Sequence, residues 1–378
     1  MRRIAGAVGL LIWSAALPAQ PATALPGAPA ILHDMTRVAD WELAHLEDAA
    51  SNPPSADARK PLGWIRGTFY TGLTALADRS DDPRYADTIF ALGEHEGWRL
   101  GPNVFNADDY QVAQTWIWAY GRQHNPRMIA ATRQRFDRII KEHPSGSLLL
   151  SYDAPGEGCF RRWCWADGLF MGPPGWVGLS LMTGDPRYLA YADKEYRATT
   201  ALLFDPDQSL FYRDSRFKSV TDDKGRKIFW SRGNGWVYAG LARILTLLPP
   251  HSPSRAFYRD LFLRLSPKLM RLQKPDGCWP QSLLDFKSDT APETSGTGLI
   301  VYGLAWGIGA GLLPKASYGM PAERGWACLT RAVAKDGKLK WVQSQNEHPD
   351  SVQEQDTQPF GAGAFLLAGS ALYDLAHR

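Results

Sequence analysis

The stretch RWCWADGLFMGPPGW, residues 162–176, sets a single acid, Asp167, among Trp163, Trp165 and Trp176, three of the chain's fifteen tryptophans. A buried carboxylate is expensive unless it is paired or has a task. An aromatic wall disfavours the charged form and raises the pKa towards the range where a carboxyl can donate a proton near neutrality. Helix capping is the competing account. Asp167, however, precedes Pro173-Pro174, where the next helix is expected to start, by six residues, too far for a cap at that proline. Asp167 is therefore the leading candidate for a general acid.

Three further clusters place reactive or ligand-binding residue types just ahead of apolar helical runs. In NADDYQVAQTW (106–116), Asp108 and Asp109 can serve a site or cap the helix that follows. In FWSRGNGW (229–236), Trp230, Arg232, Asn234 and Trp236 precede a helix expected over 237–248. Arg232 can bind a carboxylate through paired N–H bonds while the indoles cover sugar faces; an arginine stacked on tryptophan as packing is the alternative. Two glycines that let the backbone approach a ligand favour the site. In APETSGTG (291–298), capping is the main role expected of Glu293 to Thr297, with Thr294 or Ser295 free to hydrogen-bond a ligand.

The elements that must position these residues show a repeat. DDPRYADTIFALGE (81–94), HNPRMIAATRQRFDRII (124–140), GDPRYLAYADKEYRATTALL (184–203) and HSPSRAFYRDLFLRLSPKLMRL (251–272) share a polar residue, a proline and an amphipathic run. That is a helix-start signature, with proline in the first turn where its missing N–H costs nothing. Each follows an apolar, Gly/Ala-rich run, as an outer helix follows an inner one. TGLIVYGLAWGIGAGLL and GAFLLAGSALYDLA add two more apolar runs. About six such pairs fit the chain, and closing them on themselves makes an all-α (α/α)6 toroid; an open solenoid is the alternative. GSLLLSYDA and SLFYRDSRF can form short hairpins in the connections. Residues 25–378 read as one domain.

Residues 1–24 read as a targeting segment: Arg2-Arg3, an apolar run from Ile4 to Leu17, and a small-x-small cleavage site at Ala22-Thr23-Ala24. Its removal takes the formal net charge from +3 to +1, which excludes bulk electrostatic binding of nucleic acid. No later stretch is long and apolar enough for a membrane span. An apolar content of 44% with 21% charged residues argues against disorder. A secreted, periplasmic location follows, and with it the question of the four cysteines. A local Cys159–Cys164 pair and cross-pairs with Cys278 and Cys328 are open, with free buried thiols placed first. The eight histidines are scattered with no zinc spacing, so no metal is expected.

Together the motifs resemble glycoside hydrolase family 105, related to family 88: the unsaturated rhamnogalacturonyl and unsaturated uronyl hydrolases. ADDYQVAQ, WADGLFMGPP, TGDPRYLAYAD, IFWSRGNGWVYAGLARIL, PETSGTG and PFGAGAFLLAG carry the resemblance, from about Trp64 to Leu375. It implies an (α/α)6 barrel that needs no cofactor. It also implies removal of a 4,5-unsaturated uronic acid from the non-reducing end of lyase-generated acidic oligosaccharides, by hydration of the C4=C5 double bond. Asp167 would protonate C4 and then, directly or through a water, assist addition at C5. One tuned carboxyl suffices, unlike the spaced pair of an ordinary glycosidase. The family's second acid falls within Asp108-Asp109; Asp109 takes that place, with Asp108 a substrate contact. Trp230, Arg232 and Trp236 match the substrate-contact motif, and Tyr70, Trp165, Met171 and Thr294 complete the expected contacts.

Two positions depart from the family pattern: Ala113 replaces the usual glycine, and Arg213 in SLFYRDSRF replaces a histidine found in many members. Arg213 can meet a carboxylate or sulfate, or pair with Asp214 or Asp205. The substrate most simply implied is an unsaturated rhamnogalacturonan (pectin) fragment. Alternatives are unsaturated glucuronyl ends from ulvan, arabinogalactan or similar glycans, an inverting glycosidase using Asp109 with Asp167, and a non-catalytic glycan-binding protein.

Overall fold

The computed structural model describes residues 25–47, 52–151, 158–285 and 291–377; the expected targeting segment, 1–24, lies outside the described residues. The helices in chain order are α1 (Ala28–His45), α2 (Trp64–Ala77), α3 (Arg84–Glu96), α4 (Ala113–Gln123), α5 (Arg127–Glu142) and the single turn α6 (Gly168–Met171). They continue with α7 (Pro173–Thr183), α8 (Pro186–Leu203), α9 (Ser231–Leu247), α10 (Arg255–Arg271), α11 (Thr294–Gly309), α12 (Lys315–Arg331) and α13 (Pro359–Ala376).

The polar–proline phrase starts three of them as expected. The side chains of Asp82, Asn125 and Asp185 accept from the backbone N–H of the arginine two residues on, at 3.0, 3.1 and 2.9 Å. The fourth phrase behaves differently. There α10 begins at Arg255, beyond Pro253, and the Ser254 hydroxyl turns away to Asp193 instead of capping.

Two helix characters separate as their sequences require. Helices α11 and α13 are buried without interruption from Thr294 to Ala305 and from Pro359 to Leu372. Helix α5 instead buries one stripe, Met128, Ile129, Thr132, Phe136 and Ile139, the spacing of a single helix face. The apolar helices α2, α4, α7, α9, α11 and α13 pack side by side in that order, and α13 returns to α2. Helices α3, α5, α8, α10 and α12 each lie outside the inner helix before them, and α1 covers α13. The ring is closed, so the fold is an (α/α)6 barrel and not an open solenoid.

Closure depends on close backbone approach. A Cβ on Gly72 of α2 would lie 2.6 Å from the carbonyl oxygen of Gly363 in α13, and one on Gly363 would lie 2.4 Å from that of Thr68. No side chain fits between these backbones.

The connections differ sharply between the two ends. Inner-to-outer turns are short, some reversing through left-handed residues such as His124 (φ 53°) and Gly184 (φ 71°). Outer-to-inner connections are long, spanning 97–112, 143–167, 204–230, 272–293 and 332–358. All of them gather at the N-terminal mouth of the inner helices. The connection 204–230 carries a two-residue antiparallel hairpin, β1 (Phe204–Asp205) with β2 (Leu210–Phe211). The other expected hairpin, in GSLLLSYDA, is absent from its described residues.

The cysteine expectation needs correcting. All four pair, Cys159 with Cys164 and Cys278 with Cys328, at Cα separations of 5.7 and 5.6 Å, within ordinary bridging geometry. The first bridge pins the loop that leads into Asp167.

Gly363→Ala tests the closure. An unpacked helical glycine gains about 1 kcal/mol on becoming alanine. Here the methyl group collides with backbone, and urea unfolding should show a loss of about 1–3 kcal/mol. A gain would mean that the α2–α13 seam is loose.

Candidate active site

The long connections enclose a cleft of about 500 Å³ at the inner-helix N-termini, a size usual for small-ligand sites. Connection 97–112 supplies Asn106 and Asp108, and connection 143–167 supplies Phe160, Trp165 and Asp167. Met171 of α6, Arg213, and Gln345 to His348 of the last connection complete the wall, with Trp64 at the start of α2.

Local hydrogen bonds bring the charged members together. The Asn234 amide near the start of α9 clasps β2, accepting from Phe211 N–H at 2.8 Å and donating to Phe211 O at 3.0 Å. Two residues beyond β2, the Arg213 carbonyl accepts from Ala166 N–H at 2.7 Å, which sets Arg213 beside Asp167. The Trp163 indole donates to the Tyr110 hydroxyl at 2.7 Å, joining the Asp167 loop to the Asp108 loop. Asp108 sits in a short 3-10 turn capped by Asn106, whose side chain accepts the Asp108 N–H at 3.0 Å.

The electrostatics follow from this placement. Asp167 is 8% exposed, starts α6, and makes no side-chain cap bond. Its Oδ2 lies 3.5 Å from Arg213 Nε and has no hydrogen-bond partner. Burial pushes the Asp167 carboxyl above the usual range, with the Arg213 and Arg232 charges opposing it. Asp108 keeps some exposure through the cleft mouth. Burial, followed by the Asp167 charge, nevertheless pushes it up to about 8, against the pull of Arg213. Two acids that face one cleft cannot both ionise cheaply. Arg213 also contacts Asp214 at 2.9 Å and Glu347 at 3.6 Å. Asp214 is buried, yet its bonds from Arg216 and Arg213 outweigh burial and hold it below the usual range. Asp205 pairs with Lys227 instead, at 2.6 Å.

The structure brings together part of the expected site. Asp167, Asp108, Trp165, Met171 and Arg213 line the cleft. Asp109 does not. The turn points it the other way, where it accepts from Asn103 at 2.6 Å, so the acid facing Asp167 is Asp108. Neither acid caps α4, which begins at Ala113. Of the three tryptophans around Asp167 in sequence, only Trp165 reaches the cleft. Trp176 stacks on Phe136 at 3.9 Å in the wall below, and Trp163 packs edge-on against Trp176 and Tyr191.

Tyr70, Trp230, Trp236 and Thr294 are likewise buried beneath the cleft. Thr294 bonds the Lys340 and Trp341 carbonyls at 3.0 Å, in keeping with a capping segment whose N-cap is Glu293. Helix α9 begins at Ser231, six residues before the expected 237, so Arg232 lies in its first turn. Its guanidinium stacks on Trp230 and Phe360 and donates to the Gln343 and Ser344 carbonyls, each at 2.7 Å. Burial lowers it to about 10, with Glu293 and Asp167 opposing. Arg232 thus positions the connection that delivers Gln345 to His348, with Trp230 Nε1 assisting at Gln343 Oε1, 2.8 Å. That connection, Trp64, Asn106 and Phe160 are not among the site residues expected from sequence. The connection's one signal was a polar run, QSQNEHPDSVQEQDTQ, directly before the apolar PFGAG.

Comparison with known proteins bears on the family and the fold. The family model Glycosyl Hydrolase Family 88 matches residues 34–376. An unsaturated 3S-rhamnoglycuronyl hydrolase of Alteromonas sp. (strain LOR) is 38% identical over 344 residues, 88% of this chain and 83% of that protein. Another of the same name, from Formosa agariphila, is 30% identical over 90% of each chain. The solved structure of a glycosyl hydrolase family 88 protein from Bacteroides vulgatus has a TM-score of 0.80 at 26% identity, covering 92% of this chain and 99% of that one. A structure described as a polysaccharide lyase has a TM-score of 0.78 at 28% identity, covering 93% and 98%.

The raised carboxyl of Asp108 makes a stability prediction. Between its ordinary value of 3.8 and about 8, the folded chain retains a proton that the unfolded chain releases. The stability contributed by this group is therefore full below pH ~4 and lost as pH rises towards 8. Asp108→Asn should melt higher than the parent, by a margin that widens from pH 4 to 8. A margin independent of pH would contradict the assignment.

Proposed function

The chain belongs to Glycosyl Hydrolase Family 88, and from that premise we propose that its cleft hydrates the C4=C5 double bond of a terminal unsaturated uronic acid, with Asp167 as the acid. It is a glycoside hydrolase that removes unsaturated uronic acid from oligosaccharides. The observation that carries the proposal is the buried Asp167 carboxyl, whose Oδ2 has no hydrogen-bond partner and lies 3.5 Å from the cleft's arginine.

Protonated Asp167 gives its proton to C4. Positive charge develops at C5, next to the ring oxygen, and the carboxylate left on Asp167 stabilises it. A water held by that carboxylate adds to C5 and returns a proton to Asp167. The C5 hemiketal then opens, and the hemiacetal left at C1 expels the remaining sugar. Asp108, raised to about 8, enters as a neutral hydrogen-bond donor and not as a second charge facing the uronate. Arg213 holds the substrate's anionic group. A uronate bound between the acids pushes Asp167 further towards its protonated form.

The two relatives at 38% and 30% identity share one name. We therefore take the substrate to be an unsaturated rhamnoglycuronyl oligosaccharide, in preference to the rhamnogalacturonan fragment expected from sequence. The second acid is taken to be Asp108 in place of Asp109. Export to the periplasm belongs to the same reading, supported by the signal-like first residues and two disulfides.

The unsaturated uronide absorbs in the ultraviolet, and hydration removes the band. Unsaturated rhamnoglycuronyl oligosaccharides should lose absorbance faster than rhamnogalacturonyl ones. Asp167→Asn should lower kcat on the order of 10²–10⁴-fold while changing KM little. The parent rate should fall as rising pH removes the proton from Asp167, and further as pH passes about 8 and Asp108 ionises. A fully active Asp167→Asn, or turnover of saturated substrates alone, would overturn the proposal. A rise in absorbance on intact polysaccharide would indicate a lyase instead.

A further inference from the structure

At the opposite end of the barrel, where the inner helices finish, lies a second cavity of about 680 Å³. It is larger than the catalytic cleft, and the hydration chemistry uses none of its residues. Arg243, near the end of α9, lines it together with Trp118, Trp306, Tyr302 and Gln114.

Arg243 sets this cavity apart from a packing defect. Its Nε donates to Gln114 Oε1 at 2.8 Å, and its guanidinium also bonds the Tyr302 hydroxyl. Both partners are neutral. None of the described carboxylates forms an ion pair with Arg243, because the two acids lining the same cavity are committed elsewhere. Asp78 pairs with Arg122 and accepts from Trp118 Nε1 at 3.0 Å, while Asp374 is held by Arg79 at 2.9 Å. Burial holds the Arg243 guanidinium below its usual range, opposed only in part by Tyr302 and Asp78. Arg243 keeps part of its surface open to the cavity, and a cation so largely covered by protein normally has an anion beside it.

The arginine is also held in place. Gln114 Nε2 donates to the Phe170 carbonyl at 2.8 Å, which fixes the amide so that its oxygen faces Arg243. A planar guanidinium with donors to spare matches a carboxylate. Partly exposed Trp306 offers a flat apolar face of the kind on which sugar rings lie, while the Trp118 ring carries the Arg122 guanidinium 4.4 Å from its centroid.

We propose that this cavity is a second ligand site, for a small organic anion of the uronic acid type, its carboxylate on Arg243 and its body against Trp306. The site lies at the end of the barrel away from the catalytic cleft, so it stands or falls separately from the reading of Asp167.

D-Glucuronate serves as the probe, by calorimetric titration and by soaking into crystals. The parent should show a binding component that survives Arg213→Met but is weakened on the order of tenfold to a hundredfold in Arg243→Met. Crystals should show the sugar acid against Arg243, and D-glucose should bind there at least about tenfold more weakly. Should Arg243→Met fail to fold, Thr246→Trp on the exposed rim fills the cavity without touching the arginine's bonds, and it should lose the same component. Unchanged binding in these variants, equal binding of glucose, or no glucuronate at this end would overturn the proposal.

Discussion

Two carboxylic acids and one guanidinium share a single cleft, and the rest of the structure serves to hold them there. Asp167 and Asp108 would each ionise readily in water. Placed in one cleft, each is made costly to ionise chiefly by burial, with the Asp167 charge adding to the cost at Asp108, and Arg213 offsets that cost only in part because Asp214 and Glu347 also draw on its charge. The outcome is an Asp167 carboxyl held above the usual range, with Asp108 pushed up to about 8, at the place where a double bond can take a proton. Such an arrangement is unfavourable for folding, so the supporting structure has to be stiff. Asn234 clasps the hairpin, Ala166 bonds the Arg213 carbonyl, Tyr110 meets Trp163, and a disulfide closes the loop just before Trp165.

The barrel supplies that stiffness through its asymmetry. Inner helices approach so closely that Gly72 and Gly363 leave no room for a side chain. Short turns at one end leave the chain's spare length at the other, where the long connections meet. Arg232 shows how far the support reaches. As a buried cation it stacks on Trp230 and Phe360 and holds the backbone of the connection that brings Glu347 to Arg213. It shapes the cleft without lining it.

Much of this was legible in the sequence, for identifiable reasons. The polar–proline–arginine phrase has a local cause, a side chain accepting from an N–H two residues on, so it marked three outer helices correctly. Continuous Gly/Ala-rich runs can only be buried helices, and they marked the inner ring. Asp167 stood out because it lies too far ahead of Pro173 to cap α7, and at the N-cap of the single turn α6 its side chain makes no cap bond. What stayed hidden depends on orientation or on long-range closure. Asp108 and Asp109 are adjacent on one tight turn and point apart, a distinction no composition carries. Trp163, Trp176, Trp230 and Trp236 share motifs with site residues, yet they form the wall behind them. Gln345 to His348 reach the cleft through a connection held by Arg232 at Gln343 and Ser344, a long-range contact of which the polar run was the one local trace.

The central claim is that the first bond made is a proton on C4 and that water adds at C5. Turnover of the unsaturated oligosaccharide in D2O, followed by NMR from the first turnovers, before the C4 hydrogens beside the new C5 ketone exchange with solvent, tests this directly. Hydration predicts that the C4=C5 signal is lost as one deuterium enters C4. Release of a uronic acid that keeps its C4=C5 double bond, with no deuterium at C4, would mean direct attack at the anomeric carbon and would contradict it.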